Sequence, residues 1–223
     1  MRTIFAAFDF KSGDLADEEN NYLENHVRLA KELPGLRQYI TGRLRAPAGT
    51  TPPHYRAATL SFDDAEALAA AVRKSPVAKP LAADGAAHIT NTRWLELDSE
   101  VIVPFVSKQS GKDYFMMAAH FDLKLTGGDL AAAEQRYLGH HTFLARRLPG
   151  LRHYLIGRFV PPVGMRPDLA PPSDRLRMAM LVFDDIETLR AAYRSPAGEE
   201  LARDEQETIA NARVYRIDAT VQV

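Results

Sequence analysis

The chain has 223 residues, of which 46% are hydrophobic and 26% are charged, a composition typical of a globular protein. The formal net charge is −1 and the lysines and arginines are dispersed, which argues against nucleic acid or an anionic membrane as a partner. Cysteine does not occur, so disulfides, thiolate nucleophiles and cysteine-ligated metals are excluded. The N-terminal sequence lacks the apolar core of a signal peptide, and no apolar run could cross a bilayer. These features predict a soluble, cytoplasmic protein.

Hydrophobic periodicity predicts a short series of strands and helices in the first half of the chain. Pro34-Gly35 ends the first helix, and Asp63-Asp64 offers an N-cap for the second. The predicted elements, in chain order, are a strand at Thr3–Phe10, a helix from about Ala16 to Leu33, strands at Arg37–Leu44 and Arg56–Phe62, a helix to about Arg73, a short helical stretch near Pro80–Ala87, a strand at Thr92–Leu97 and an apolar extension at Val101–Val106.

The second half of the sequence repeats this pattern. Between Tyr22–Arg43 and Tyr137–Arg158, 13 of 22 aligned positions are identical, which places His26 on His141. The blocks that begin at Leu60 and Leu81 recur at Leu181 and Leu201, and the second of these places Asp84 on Asp204. Matches in this order indicate an internal duplication.

Each copy has the order β-α-β-β-α-β, which predicts the α+β fold class with two tandem ferredoxin-like repeats. The predicted repeats are residues 1–106 and 114–223, and the polar segment 107–113 is the predicted linker. A sheet with helices on one face needs cover on the other, so the two antiparallel sheets are expected to pack as a pseudo-dimeric barrel within one chain. The tail Val101–Val106 is expected to cross to the other half and to cover its edge strand.

The ordered motifs of both halves resemble the EthD family of the dimeric α+β barrel superfamily. In the first half they are His26, Leu33-Pro34-Gly35-Leu36, Phe62-Asp63-Asp64, Ser75-Pro76 and Asp84. The second half repeats them at His141, Leu148-Pro149-Gly150-Leu151, Phe183-Asp184-Asp185, Ser195-Pro196 and Asp204.

The resemblance implies similarity to small-ligand enzymes that use no cofactor, among them oxygenases, polyketide cyclases, isomerases and decarboxylases. It also implies that single-copy members pair with a second chain to make the barrel, whereas this chain carries both copies. Closure within one chain leaves further homo-oligomerisation open. Because one fold serves many reactions, the resemblance alone does not specify the reaction.

His26 and His141 are the leading candidate catalytic residues. Each follows a tyrosine by four positions, Tyr22 or Tyr137, so that both rings project from one face of the helix. An imidazole beside a phenol could move a proton at a bound substrate near neutral pH. The alternative is a half-buried histidine that only fixes the helix, and the repeat does not distinguish the two interpretations.

Asp84 and Asp204 precede the last strand of each half, where each could orient the histidine or cap a helix. His120 has no histidine counterpart, since Ala7 occupies the equivalent position, and it is a candidate ligand contact or a barrel-filling residue. Further candidates for an aromatic substrate pocket, or for the core, are Tyr39, Tyr154 and Trp94.

A metal site is not expected. His140 and His141 are adjacent on a helix and point about 100° apart, and no metal-binding motif accompanies them. The Pro-rich loops Ala46–His54 and Val160–Arg175 are interpreted either as lids or partner surfaces, or as rigid connections.

Two functional hypotheses follow. The first is an enzyme that processes a small apolar or aromatic carbonyl compound by acid–base chemistry, without a cofactor, in a pocket between the first helix and the sheet. The second is a non-catalytic module that binds or shields a small hydrophobic metabolite. A buried His–Asp pair with a perturbed pKa would favour the first hypothesis, and an apolar cavity whose histidines bond only to backbone would favour the second.

Overall fold

The computed structural model describes residues 1–46, 49–105, 111–125, 127–163 and 176–223. Most of the predicted linker and of the second Pro-rich loop therefore lies outside the described residues, as do Val106 and two residues of the first Pro-rich loop. The strands of the described chain are β1 Arg2–Phe10, β2 Leu36–Arg45, β3 Arg56–Phe62, β4 Ile89–Val103, β5 Asp113–Leu123, β6 Leu151–Val160, β7 Arg177–Phe183 and β8 Ile209–Val221.

Eight helices and two π-helical segments accompany the strands in the described part of the chain. No helix in the described ranges is long and apolar enough to span a membrane. The helices are α1 Leu15–Asn21, α2 Val27–Lys31, α3 Ala65–Lys74, α4 Ala78–His88, α5 Leu130–Arg136, α6 Thr142–Ala145, α7 Ile186–Tyr193 and α8 Pro196–Thr208, and the first and second π segments are Tyr22–His26 and Tyr137–His141.

All eight strands belong to one closed antiparallel barrel, in the order β1-β3-β2-β8-β5-β7-β6-β4. Each half contributes four adjacent strands, and the halves meet where β2 pairs with β8 and β4 pairs with β6. This confirms the predicted α+β fold of two ferredoxin-like repeats closed into a pseudo-dimeric barrel. The described part of the predicted tail does cross between the halves, since Val101 pairs with Leu155 of β6.

The last strand of each repeat is longer than predicted. Thr92–Leu97 and the apolar extension were predicted as separate segments, but β4 runs without interruption from Ile89 to Val103. The intervening polar residues do not break it, because Asp98 and Glu100 face outwards and pair with β6 while Ser99 faces inwards and hydrogen-bonds Thr3 at 2.8 Å. β8 is likewise continuous to Val221.

Glycine permits the closest approach of the two halves. A Cβ atom on Gly42 of β2 would lie 1.9 Å from the carbonyl oxygen of Asp218 in β8. At the equivalent junction between the halves, a Cβ on Gly157 of β6 would lie 2.9 Å from the Cβ of Leu97 in β4. The repeated Gly-Arg dipeptide at the end of the matched blocks therefore allows the barrel to close.

The helix predicted from Ala16 to Leu33 contains a π segment. The backbone N–H of Val27 donates to the carbonyl of Tyr22, five residues earlier, and Thr142 donates to Tyr137 in the same way. One extra residue in a turn changes the direction of the side chains that follow, and such segments occur frequently at functional sites. Both π segments run from the candidate tyrosine to the candidate histidine.

Among the described residues, the alternation of the strands produces three hydrophobic cores. One fills the barrel and contains side chains of both halves, such as Phe5, Ile40, Met116 and Ile217. The other two lie between the sheet and the helices, one in each half. The candidate tyrosines belong to these outer cores, so the candidate sites lie outside the barrel.

Candidate active site

The first half contains a cavity of about 820 Å³ between the first π segment, α4 and the outer face of the sheet. Its volume lies in the range that accommodates a drug-sized small molecule. Most of its wall is apolar. The polar side chains on the wall are Lys11, Tyr22, His26, Tyr39, Thr90, Asn91, Thr92 and Trp94.

His26 forms a partly buried pair with Asp84 at the wall of this cavity. Its Nδ1 lies 2.8 Å from Oδ2 of Asp84, and its ring stacks on Tyr22 with centroids 5.1 Å apart and planes at 17°. Within the described residues, Nε2 has no hydrogen-bond partner. With a carboxylate at Nδ1, the neutral ring carries its proton there and leaves the lone pair of Nε2 available.

Burial lowers the pKa of His26, and the hydrogen bond to Asp84 only partly opposes this effect. The imidazole is therefore neutral at pH 7. A neutral ring with a free Nε2, held by a carboxylate, is the arrangement of a general base.

Tyr22 and Tyr39 form a hydrogen-bonded pair beneath the histidine. Their hydroxyl oxygens are 2.9 Å apart, and the Tyr22 hydroxyl also lies 3.0 Å from Oγ1 of Thr41. Burial raises the pKa of Tyr39 well above its ordinary value, and the neighbouring Tyr22 raises it further. Both phenols are fully buried, and Tyr39 stays protonated near neutral pH, when it can act only as a hydrogen-bond donor or acceptor.

A buried ion pair supports Tyr22 from the other side. The Arg56 guanidinium lies 4.6 Å from the centroid of the Tyr22 ring and pairs with Glu19 on α1. Both charged residues are almost fully buried. In the second half, Arg177 and Glu134 make the same pair, with Arg177 stacked 4.9 Å from the ring centroid of Tyr137.

The second half has the same His–Asp pair in a more enclosed setting. His141 Nδ1 lies 2.7 Å from Oδ2 of Asp204, and the His141 ring stacks on Tyr137 at 5.1 Å and 19°. The exposed fraction of the side chain is 5% for His141 and 18% for His26. Burial also lowers the pKa of His141.

The two aspartates differ in the number of partners. In the described structure Asp84 bonds only to His26, whereas Asp204 also accepts from Arg136 at 3.0 Å and lies 3.6 Å from Nε2 of His140. Burial favours the neutral carboxyl of Asp204, but hydrogen bonds from Arg136 and His141 hold its pKa below the ordinary value. Asp204 therefore belongs to a small ionic network, whereas Asp84 hydrogen-bonds only to His26 among the described residues.

Neither aspartate caps a helix. Asp84 lies inside α4 and Asp204 inside α8, so the orienting alternative describes their contacts and the capping alternative is wrong. In each half, the pair joins the π segment to the helix before the last strand.

The other candidate residues fall in three different places. Trp94 lies on the cavity wall, and Tyr154 is buried in the outer core of the second half. His120 faces the interior of the barrel, with ring centroids of Phe5 and Tyr215 at 5.3 and 4.9 Å. It is not brought near either His–Asp pair. In the described ranges, no three histidine or acidic side chains come together as a metal site.

Sequence reasoning missed Glu19, Arg56 and Gly85. A Cβ atom on Gly85 would lie 3.5 Å from Cε1 of His26, so this glycine leaves the ring open to the cavity. Glycine inside a helix is costly by about 1 kcal/mol and usually indicates a close approach, which was the available signal. Glu19 and Arg56 lie on different elements, and no local pattern marks their contact.

Solved structures share the fold over the whole chain. A "putative monooxygenase" from Lactobacillus acidophilus NCFM has a TM-score of 0.69 and 13% identity, with 100% of this chain and 95% of that chain covered. A "putative monooxygenase" from Fusobacterium nucleatum has a TM-score of 0.70 and 12% identity, covering 99% and 93%. An anthrone oxidase-like protein has a TM-score of 0.55 and 13% identity, covering 99% and 93%.

At these identities the likeness to solved structures shows the fold alone. No curated protein sequence matches the chain. The model of the EthD domain matches twice, at residues 14–92 and 126–212, once in each half and over well more than half of the sequence. With two such domains in tandem, this chain belongs to the EthD family.

Proposed function

We propose that the first half is an enzyme site in which His26 acts as a general base on a small apolar or aromatic carbonyl compound, without a bound cofactor. The observation that carries the proposal is the placement of His26 on the cavity wall, with Nδ1 held by Asp84 at 2.8 Å and Nε2 without a partner in the described structure.

The chemistry is a proton transfer. Nε2 takes a proton from the carbon next to the carbonyl group or from a phenolic hydroxyl, and the electron pair remains on the substrate as an enolate or phenolate. The imidazolium that forms is stabilised by the Asp84 carboxylate. The anion can then be reprotonated at another atom, cyclise or react with dioxygen. A carboxylated substrate that is reprotonated at carbon can also lose carbon dioxide, since its restored carbonyl group accepts the electron pair of the broken bond. These outcomes define the reaction classes to be measured.

The apolar cavity wall favours a substrate with little charge. The names of the solved relatives, monooxygenase and anthrone oxidase-like, belong to those proteins. For this chain they are a reason to include dioxygen consumption among the assays.

The second candidate function is binding without conversion. The apolar wall favours it as well, since such a cavity can hold a hydrophobic metabolite without any reaction. The unpartnered Nε2 of His26 within the described residues argues for the enzyme.

The test is a ligand screen followed by a comparison of two matched variants. Aromatic, phenolic and lactone compounds are tested for thermal stabilisation of the wild type, and conversion and dioxygen uptake are followed for each binder. For a converted compound, we expect His26→Gln to lower kcat by about 10²- to 10⁴-fold while binding is retained. His141→Gln is the control and should keep most of the activity. Equal kcat values for wild type and His26→Gln would rule out His26 as the base, and binding without conversion in wild type would support the binding module.

The pH profile provides a second prediction. Because burial lowers the pKa of His26, the base form predominates at pH 7, and kcat/KM should fall only below pH 6.5, the ordinary value for histidine. Asp84 raises the pKa of His26, so Asp84→Asn should move the inflection to lower pH as well as reduce the rate. An inflection above pH 6.5, or one that Asp84→Asn leaves in place, would contradict this assignment of the base.

A further inference from the structure

The two halves differ at the positions that surround the histidine. In the first half, Val72 at the end of α3 and Gly85 in α4 lie on the cavity wall. In the aligned repeats, the equivalent residues are Tyr193 at the end of α7 and Glu205 in α8. A valine and a glycine of the first wall are thus replaced by two larger polar side chains in the second half.

Tyr193 and Glu205 meet each other across the space between their helices. The Tyr193 hydroxyl donates to Oε1 of Glu205 at 3.2 Å, and both side chains are partly buried. Tyr193 packs against the outer core of the second half, which contains Tyr137 and Tyr154. The equivalents of these two tyrosines, Tyr22 and Tyr39, line the open cavity of the first half. The Tyr193–Glu205 pair therefore occupies the place that corresponds to the cavity.

The backbone is closer at this place in the second half as well. A Cβ atom on Gly198, at the start of α8, would lie 2.3 Å from the carbonyl oxygen of Ala192 and 2.5 Å from Cα of Tyr193. The equivalent residue in the first half is Ala78, which has a Cβ and lies on the cavity wall. Glycine at position 198 thus lets α8 pack directly on the end of α7, where Ala78 keeps α4 further from α3.

We propose that Tyr193 and Glu205 close the binding site of the second half, and that the chain consequently binds one apolar or aromatic ligand, in the first half. Positions 72 and 85, with their equivalents 193 and 205, decide whether a half holds a ligand. The second half then stabilises the barrel without binding a ligand. His141 is hydrogen-bonded to Asp204, which also accepts from Arg136. The proposal rests on the first-half cavity of the proposed function, but it concerns binding and does not require turnover.

Reciprocal exchange of the two pairs tests the proposal. The variant Tyr193→Val/Glu205→Gly copies the first half into the second, and Val72→Tyr/Gly85→Glu copies the second into the first. The probe is 2-naphthol, a bicyclic phenol, titrated by calorimetry into each purified full-length protein. We expect one bound molecule per chain for wild type, two for the opened variant and none for the closed variant.

Two binding sites in wild type, no binding in wild type, or a folded opened variant that still binds one molecule would overturn the proposal. Thermal unfolding and circular dichroism establish whether each variant is folded. If the opened variant does not fold, the wild type decides the matter through the nitrogen signals of its imidazoles, assigned with His26→Gln and His141→Gln. Addition of 2-naphthol should shift the His26 signals and leave the His141 signals in place, and equal shifts of both would contradict closure.

The outcome is separable from the proposed function. A wild type that binds one molecule at His26 but converts none of the screened compounds would contradict catalysis and leave the closure of the second half supported. A wild type that converts a compound but binds ligand at both histidines would support catalysis and contradict the closure of the second half.

Discussion

The first half, produced alone as residues 1–111, is expected to aggregate or to form a homodimer, and not to exist as a folded monomer. Without the second half, β2 loses its pairing with β8 and β4 loses its pairing with β6, which leaves two unpaired strand edges. Loss of the second half also exposes the inner face of the sheet to water. That face carries Phe5, Ala7, Ile40, Leu44, Leu95 and Leu97, all buried in the intact barrel.

Two first halves have the means to replace the missing partner, because the two junctions of the barrel are equivalent. Each joins the second strand of one repeat to the fourth strand of the other, β2 to β8 and β6 to β4. Size-exclusion chromatography with light scattering gives the oligomeric state, and circular dichroism shows whether the material is folded. A mixture of residues 1–111 with residues 112–223 is the control, and it should restore a particle of the size of the full chain. A soluble, folded monomer of the first half would contradict closure of the barrel as the source of its stability.

Glu19→Gln is expected to lower the free energy of unfolding by about 3–5 kcal/mol, the usual cost of removing one partner from a buried ion pair. Arg56 is 3% exposed and Glu19 is 6% exposed, so the guanidinium that remains would be buried without its carboxylate. The other polar contact of Arg56 in the described structure is Thr41 at 3.3 Å, which carries no charge. Because Arg56 stacks on Tyr22, the change should also loosen the ring on which His26 lies.

The matched control is Glu32→Gln, which makes the same substitution in an exposed pair with Arg28 at 3.1 Å. Exposed ion pairs contribute about 0–1 kcal/mol, so this variant should unfold close to wild type. Urea denaturation measures both values. Similar losses for the two variants would mean that water reaches Glu19 and Arg56 in solution and that the pair is not truly buried.

The fold was predictable from the sequence because the signals that mark each helix and strand are local and occur in both repeats. The repeated blocks gave the element order, and the stop at Pro34-Gly35 and the cap at Asp64, which accepts from the backbone N–H of Ala67 at 2.8 Å, were correctly placed. The length of β4 was missed because its polar segment is paired by a strand more than 50 residues later in the chain. The π segments were missed because the hydrophobic spacing of the first helix fits an ordinary α-helix.

The candidate site was predictable in part for the same reason. Tyr22 and His26 share a face, as their spacing suggested, and Asp84 meets the histidine although it is 58 residues away. The difference between the halves was not recognised, since it depends on what Val72 and Gly85 leave empty and on what Tyr193 and Glu205 fill. An empty volume has no signature in a sequence, because it depends on how the helices pack in three dimensions.

Closure of the barrel by one polypeptide has a consequence for its mutational history. In a barrel made of two identical chains, every codon change appears in both subunits, and a replacement that improves packing at one site must also alter the other. Here a change at residue 193 or 198 leaves residues 72 and 78 as they were. Selection can therefore act on each half separately. One half can be optimised for stability while the other keeps the less stable features that activity requires.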